Sequence, residues 1–599
     1  MPYSQESALP AHAAQTLQAL EAAGQSLIDR CETLRQNATP APEQLEELVL
    51  SAISALQSVW NGTISPIHRL PPEILVHIFS LVPEWLPVAR TDAERVHWPF
   101  TFPAIDVNFQ LATVCKHWRN VILETPALWS AVSETENSNS HPSLPNVWAP
   151  ARCPHGSLSV HVSGWISPRM WLLLQDEGHR IQQLHMTNTI ADREAILALL
   201  QHFSAKRLEH CKIDLPIPEN QRKRSLSLFS GDGRSLRSLY LANVSFLPSN
   251  RFPRLFRLII DRYYSREDPH WEWEDLLNLL VGCPQLEQLH LSRVWIRGSQ
   301  HQPNFSAGAS RAVLPRLQTF TLDLHSRLTA VTLQVLLSII ELPPTCQLQL
   351  KEIPLSKLQA ISPSLLALGR PLTRMRLALG AAIHDSYGNT RWDWSLALAS
   401  HQPDCAAIRL NFHSVHETEV ATHLGPNFSR LPLFDNVEEL WYRSDLFHEG
   451  ILRRILLPRR VRCLALSISR WIPSQSAGCL AQVARVGGQL DTLCICVPNA
   501  EHLHDVREAL TSVGPGGKPG CRAIRRVAVG YERSSARLSR GAISLRDCGA
   551  GTEVSWTGII AKVGEGDTEM DRLLRAAPQI LEEPASIRTG WPAWSGFLR

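Results

Sequence analysis

A short apolar alternation of the form L-x-x-L-x-L recurs along most of the chain. It reads Ile181, Leu184, Met186, then Leu236, Leu239, Leu241, then Leu255, Leu258, Ile260. Leu286, Leu289, Leu291 and Leu317, Phe320, Leu322 follow. It returns as Leu372, Met375, Leu377, as Val437, Leu440, Tyr442 and as Val461, Leu464, Leu466. Leu490, Leu493, Ile495 and Ile524, Val527, Val529 close the series. Weaker copies lie at Leu158–Val162, Leu348–Leu350 and Ile408–Leu410. Period-two alternation over so few residues predicts short strands.

Stretches with helical spacing lie between them: 192–200, 273–280, 333–340, 355–368, 452–457 and 502–510. Several stop at Pro or Gly, as at Gly282, Pro343, Pro458 and Gly514. The unit length wanders between about 19 and 34 residues, a strand-then-helix spacing that resembles irregular leucine-rich repeats. One such unit cannot bury its apolar face alone, whereas a stack of them buries a continuous core. The expected fold is therefore an α/β solenoid, a leucine-rich-repeat-like horseshoe, over residues 157–530. The Asn that follows the strand in regular repeats is mostly missing, Asn243 being the nearest. Several separate α/β domains are the competing expectation. Residues 531–599 are expected to form a cap or tail.

Ahead of the repeats the pattern is helical throughout. Leu17, Leu20, Gly24, Leu27, Cys31 and Leu34 are three and four apart, and Leu45, Leu48, Val49, Ala52, Ile53, Leu56 and Val59 share one face. Residues 1–62 thus read as a helical hairpin or coiled coil, broken at Thr39-Pro40-Ala41-Pro42. A Ser/Asn/Pro-rich stretch at 134–156 reads as a linker.

Between hairpin and linker, residues 63–133 carry a more specific set. Leu70-Pro71-Pro72-Glu73-Ile74-Leu75 opens a helix with Ile78 and Phe79 on its apolar face. A second helix carries Leu111, Val114, Cys115, Trp118, Arg119 and Ile122, and Thr125-Pro126-Ala127-Leu128-Trp129 closes the segment. This ordered set resembles an F-box of the fungal type, with an insertion near 82–108 longer than the usual link. The competing reading makes both helices ordinary core helices of a larger domain. The resemblance implies docking on the Skp-type adaptor of a cullin-based (SCF) ubiquitin ligase. The residues expected at that contact are Leu70, Pro71, Ile74, Leu75, Ile78, Val114 and Trp118. The repeat array would then hold an unknown target protein. The alternative is a non-catalytic scaffold whose F-box-like helices only brace the repeats.

Composition narrows these readings. With 599 residues, of which 44% are hydrophobic and 19% charged, the chain can build a large core. A net charge of +3 gives no electrostatic case for a nucleic-acid or membrane surface. No apolar run approaches the ~18 residues of a membrane span. The first residues lack the basic segment and apolar core of a signal peptide. A cytoplasmic or nuclear location is expected. The 13 cysteines are scattered, six of them read as lying on apolar stripes (Cys115, Cys211, Cys346, Cys463, Cys494 and Cys496), without metal spacing.

Catalytic motifs are not legible either. Gly516-Gly517-Lys518-Pro519 lacks the hydroxyl residue of a phosphate loop, and His416-Glu417 lacks the second His of a zincin helix. His502-Leu503-His504-Asp505 reads as the solvated start of a helix. No enzyme activity, catalytic residue, cofactor or metal is expected. Two tryptophan pairs, Trp271-Glu272-Trp273 and Trp392-Asp393-Trp394, are expected to precede helices, plugging the seam between strands and helices or serving as partner hot spots.

Overall fold

The computed structural model describes residues 70–85, 105–134, 153–187, 193–215, 226–261, 271–297, 311–323, 330–384, 390–400, 407–416, 431–444, 460–468, 490–497, 526–532 and 554–557, except 165, 245, 295 and 371, with scattered positions between 18 and 67 and at 502–506. The expected helix at 452–457, the Gly-rich loop at 514–520 and most of the N-terminal hairpin lie outside them. The described positions at 18–33 and 46–54 are helical.

The chain divides into two compact units, Met1–Thr91, Pro99–Ile196 and Phe203–Leu208 in one, Asp92–Trp98, Leu197–His202 and Glu209–Arg599 in the other. The first unit holds α1 (Pro72–Trp85), α2 (Ile105–Val114), α3 (Lys116–Glu124) and a 3-10 turn at Pro126–Trp129. It continues with β1 (Ala131–Glu134), β2 (Leu158–Ser163), α4 (Pro168–Glu177) and β3 (Ile181–Thr187). These strands form a parallel ladder, β1 to β2 and β2 to β3. The chain next forms α5 (Arg193–His202). Helix α4 has a legible start, because Ser167 caps it by accepting from Met170 N–H and Pro168 fits the first turn. Buried Arg180 donates to the carbonyls of Gly156 and Cys153 and to Glu177, fixing the turn before β2.

The second unit opens with β4 (His210–Asp214), β5 (Ser238–Ala242), β6 (Arg257–Asp261), the short β7 (Trp271–Glu272) and α6 (Trp273–Val281). It goes on with β8 (Gln288–Ser292), β9 (Ile296–Arg297), β10 (Ala312–Val313), β11 (Thr319–Asp323), α7 (Ala330–Ile339), β12 (Ile340–Glu341), β13 (Gln347–Lys351) and α8 (Leu358–Leu366). Three long strands follow, β14 (Arg374–His384), β15 (Thr390–Ala399) and β16 (Ala407–His416). The series ends with β17 (Glu439–Ser444), β18 (Cys463–Ile468), β19 (Thr492–Val497), β20 (Arg526–Glu532) and β21 (Val554–Thr557).

The protein is thus an α/β protein with a large, mostly parallel sheet whose strands alternate with helices. Strands β4, β5, β6, β8, β11, β13 and β16 are parallel neighbours in that order. The order then inverts. β16 pairs antiparallel with β15 and β15 antiparallel with β14, and β14 resumes the parallel series with β17, β18, β19 and β20. β21 adds antiparallel to β20, a strand inside the stretch expected only as cap or tail. Trp392 and Trp394 lie in β15, so this pair does not precede a helix. Trp271 and Glu272 form β7 directly before α6, and Trp271 is buried.

The motif explains the register. Its last two apolar positions form continuous rows: Cys211, Leu239, Leu258, Leu289, Phe320, Leu348, Ile408 and Ile213, Leu241, Ile260, Leu291, Leu322, Leu350, Leu410. All are buried. Its first position lies outside the strand and closes a turn, as where Leu236 N–H donates to Gly233 O and Leu286 N–H to Cys283 O. β4 fits the same pattern with Cys211 in the place of a Leu, which is why the sequence reading passed over it. One carbonyl then accepts from the next two strand-entry amides in repeat after repeat, Arg237 O from Phe256 and Arg257, Phe256 O from Glu287 and Gln288. Helix α8 packs against both α7 and the 3-10 turn at Pro432–Phe434.

The residue after the strand is left-handed in several repeats. Gly164, Asn243, Arg293 and Glu352 have φ of 84°, 53°, 54° and 53°. The amides of Gly164, Asn243 and Arg293 donate to Thr187, Asp261 and Asp323 at the end of the neighbouring strand, extending the ladder by one bond. Asn tolerates this conformation, whereas Arg and Glu adopt it at a cost. Helix α6 ends at Gly282 for a different reason. A Cβ there would stand 3.2 Å from the backbone of Arg251 and Asn250.

Candidate functional site

The Cys-x-x-Trp-Arg segment does not continue one helix, as the spacing predicts, but breaks two. Cys115 is extended, and its Sγ caps α3 by accepting from Trp118 N–H at 3.4 Å. The break leaves carbonyls at the end of α2 without helical partners. Arg119 answers one of them, donating from Nε to Ala112 O at 3.0 Å. Trp118 meets Phe79 of α1 with ring centroids 4.9 Å apart. The closing Thr-Pro-Ala-Leu-Trp finishes α3 in the same way. Thr125 Oγ1 donates to Val121 O at 2.6 Å and Trp129 Nε1 to Ile122 O at 2.7 Å. Buried Asn108 on α2 donates to Leu128 O, and Phe109 meets Trp129 edge-on at 5.4 Å. Cys115, Trp118, Arg119, Thr125 and Trp129 each have a local structural task.

Helix α1 has more apolar surface than its own unit covers. Leu75 and Phe79, one turn apart, are fully buried. Ile74, 47% exposed, and Leu81, 40% exposed, flank the half-buried Ile78 on a stripe about 100° further round the helix. Only Glu73, His77 and Ser80 make its polar side within 72–82. On α2, Val114 is 53% exposed. Of the seven residues the sequence nominates, Pro71, Ile74 and Val114 are exposed, and Leu70, Ile78 and Trp118 are half-buried. Leu75 is sealed inside and holds the helices together. Leu81 was missed, although its spacing from Ile74 and Ile78 carried the signal. The insertion is also shorter than read, since α1 runs to Trp85 and α2 begins at Ile105.

The second surface is the sheet face opposite the apolar rows. Its middle row on β4 to β16 is Lys212, Tyr240, Ile259, His290, Thr321, Gln349 and Arg409. The first six are buried at 5% exposure or less. Lys212 Nζ stands 5.1 Å from the Tyr240 ring centroid, and Tyr240 donates to Asp261 at 3.2 Å. The rows on either side are mixed, with Ala242, Ser292 and Asp323 buried in one and Ser238 in the other. Asp214, Asp261 and Lys351 lie along the carboxyl ends of the strands, with His210, Arg257 and Gln288 along the amino ends, all half-buried. Burial lowers the Lys351 pKa against the opposing pull of Asp323. Burial likewise lowers His210 to about 4, with Glu209 opposing and Arg237 and Arg257 reinforcing.

Register sets Cys494 level with Ala465 and Ala528, and Cys496 level with Ser467 and Gly530. Cys211, Cys283 and Cys346 are buried, and burial raises the last two to about 12 and Cys211 still higher. Such thiols stay protonated and inert. His502 and Asp505 stand 3.8 Å apart, and both are half-buried. Among the described residues no group of three or more His, Cys, Asp or Glu is arranged to hold a metal, and no helix is long and apolar enough to cross a membrane. No protein-family model and no curated protein matches the sequence.

Proposed function

We propose that the chain is a non-catalytic adaptor whose F-box-like helices dock on the Skp-type subunit of a cullin-based ubiquitin ligase while the parallel array holds a target protein. One observation carries the reading. Helix α1 seals Leu75 and Phe79 inside but leaves Ile74 and Leu81 in water. A helix meant only to brace its own unit needs an apolar stripe of about 100° and no second one. Burying the open parts of Ile74, Leu81 and Val114 on a partner contributes about 1 kcal/mol each. Association costs at least ~4 kcal/mol, so Leu70, Ile78 and Trp118 must contribute as well. The partner accordingly offers a broad apolar helical surface rather than one pocket.

For the array, the supporting features are the in-register apolar rows and the repeated strand-entry bonds, which suit a leucine-rich-repeat-like solenoid. The half-open positions along the strand ends, Asp214, Asp261 and Lys351 among them, are the target contacts this reading assigns, because six of the seven middle-row positions are closed.

Co-purification of the full chain with the adaptor subunit tests the docking half. Capture that is lost in an Ile74→Asp, Leu81→Asp variant of unchanged melting temperature supports it. Failure of the wild-type chain to bind, with its fold intact, removes the ligase role and leaves the scaffold reading.

A further inference from the structure

No further inference is drawn: the strongest candidate, the His161 and His185 pair standing in register on β2 and β3 with ring centroids 6.3 Å apart, has no third ligating side chain arranged to complete a metal site among the described residues.

Discussion

The helices α1 to α3 and the sheet of the second unit treat apolar surface in opposite ways. In the sheet every residue of the two apolar rows is buried, and even six of the seven positions in the middle row of the opposite face are closed. On α1 the buried pair Leu75 and Phe79 lies beside the open Ile74 and Leu81. Exposed single apolar residues are ordinary on protein surfaces. A stripe at helical spacing beside a complete core is less so, and it suits a surface kept for another polypeptide. The difference separates side chains that hold the fold from those that stability does not need, and that separation can be tested.

The largest effect belongs to the sheet. Leu291→Ala empties a fully buried position flanked in register by Ile260 and Leu322. A loss of about 2–5 kcal/mol is expected in urea unfolding, and a loss under ~1 kcal/mol would mean that the row is not close-packed. Next comes the open stripe. Ile74→Asp with Leu81→Asp should weaken adaptor capture by ~10-fold or more and leave unfolding within ~0.5 kcal/mol. Equal losses of stability and binding would erase the contrast between the two regions.

Smaller changes sharpen the account of the helical break. Arg119→Ala removes the donor to Ala112 O, and about 1 kcal/mol of stability should go with it. A null effect would show that water serves the carbonyl equally well. In the sheet, Arg293→Gly relieves a left-handed residue, φ 54°, while adding chain entropy to the unfolded state. These terms oppose one another, and a net gain of about 0.5–1 kcal/mol in unfolding free energy is expected. A loss would mean that the Arg293 side chain stabilises the turn more than its backbone strains it.

The last effect vanishes at neutral pH. His210 has its pKa lowered from 6.5 to about 4 in the folded chain, chiefly by burial. Below pH 6.5 the unfolded chain takes up a proton that the folded chain refuses. Stability is therefore complete above pH 6.5 and falls as the pH drops towards about 4. His210→Gln should flatten that part of a stability-against-pH curve, and an unchanged slope would assign it to other groups.

The strands were legible because each repeats one local signal. All the described L-x-x-L-x-L copies, and the three weaker ones, are strands. The exceptions are instructive. β4 hides behind Cys211, and β15 carries only the short Leu396-Ala397-Leu398 alternation, which does not reveal that it runs antiparallel to both neighbours. The site was legible only as a list. Ile74 and Leu75 are adjacent in sequence and equally apolar, yet one is open and the other sealed.

By itself, then, the sequence determined the alternation of strands and helices and the ordered residues of the helical break, since both rest on periodicity, capping and turn chemistry within a few positions. Tertiary structure alone decided the inverted order of β14 to β16, the closure of most of the polar middle row and the division of α1 into a buried and an open stripe. Those outcomes depend on which segments far apart in the chain come to lie against each other, and side-chain spacing does not encode what will cover a given face.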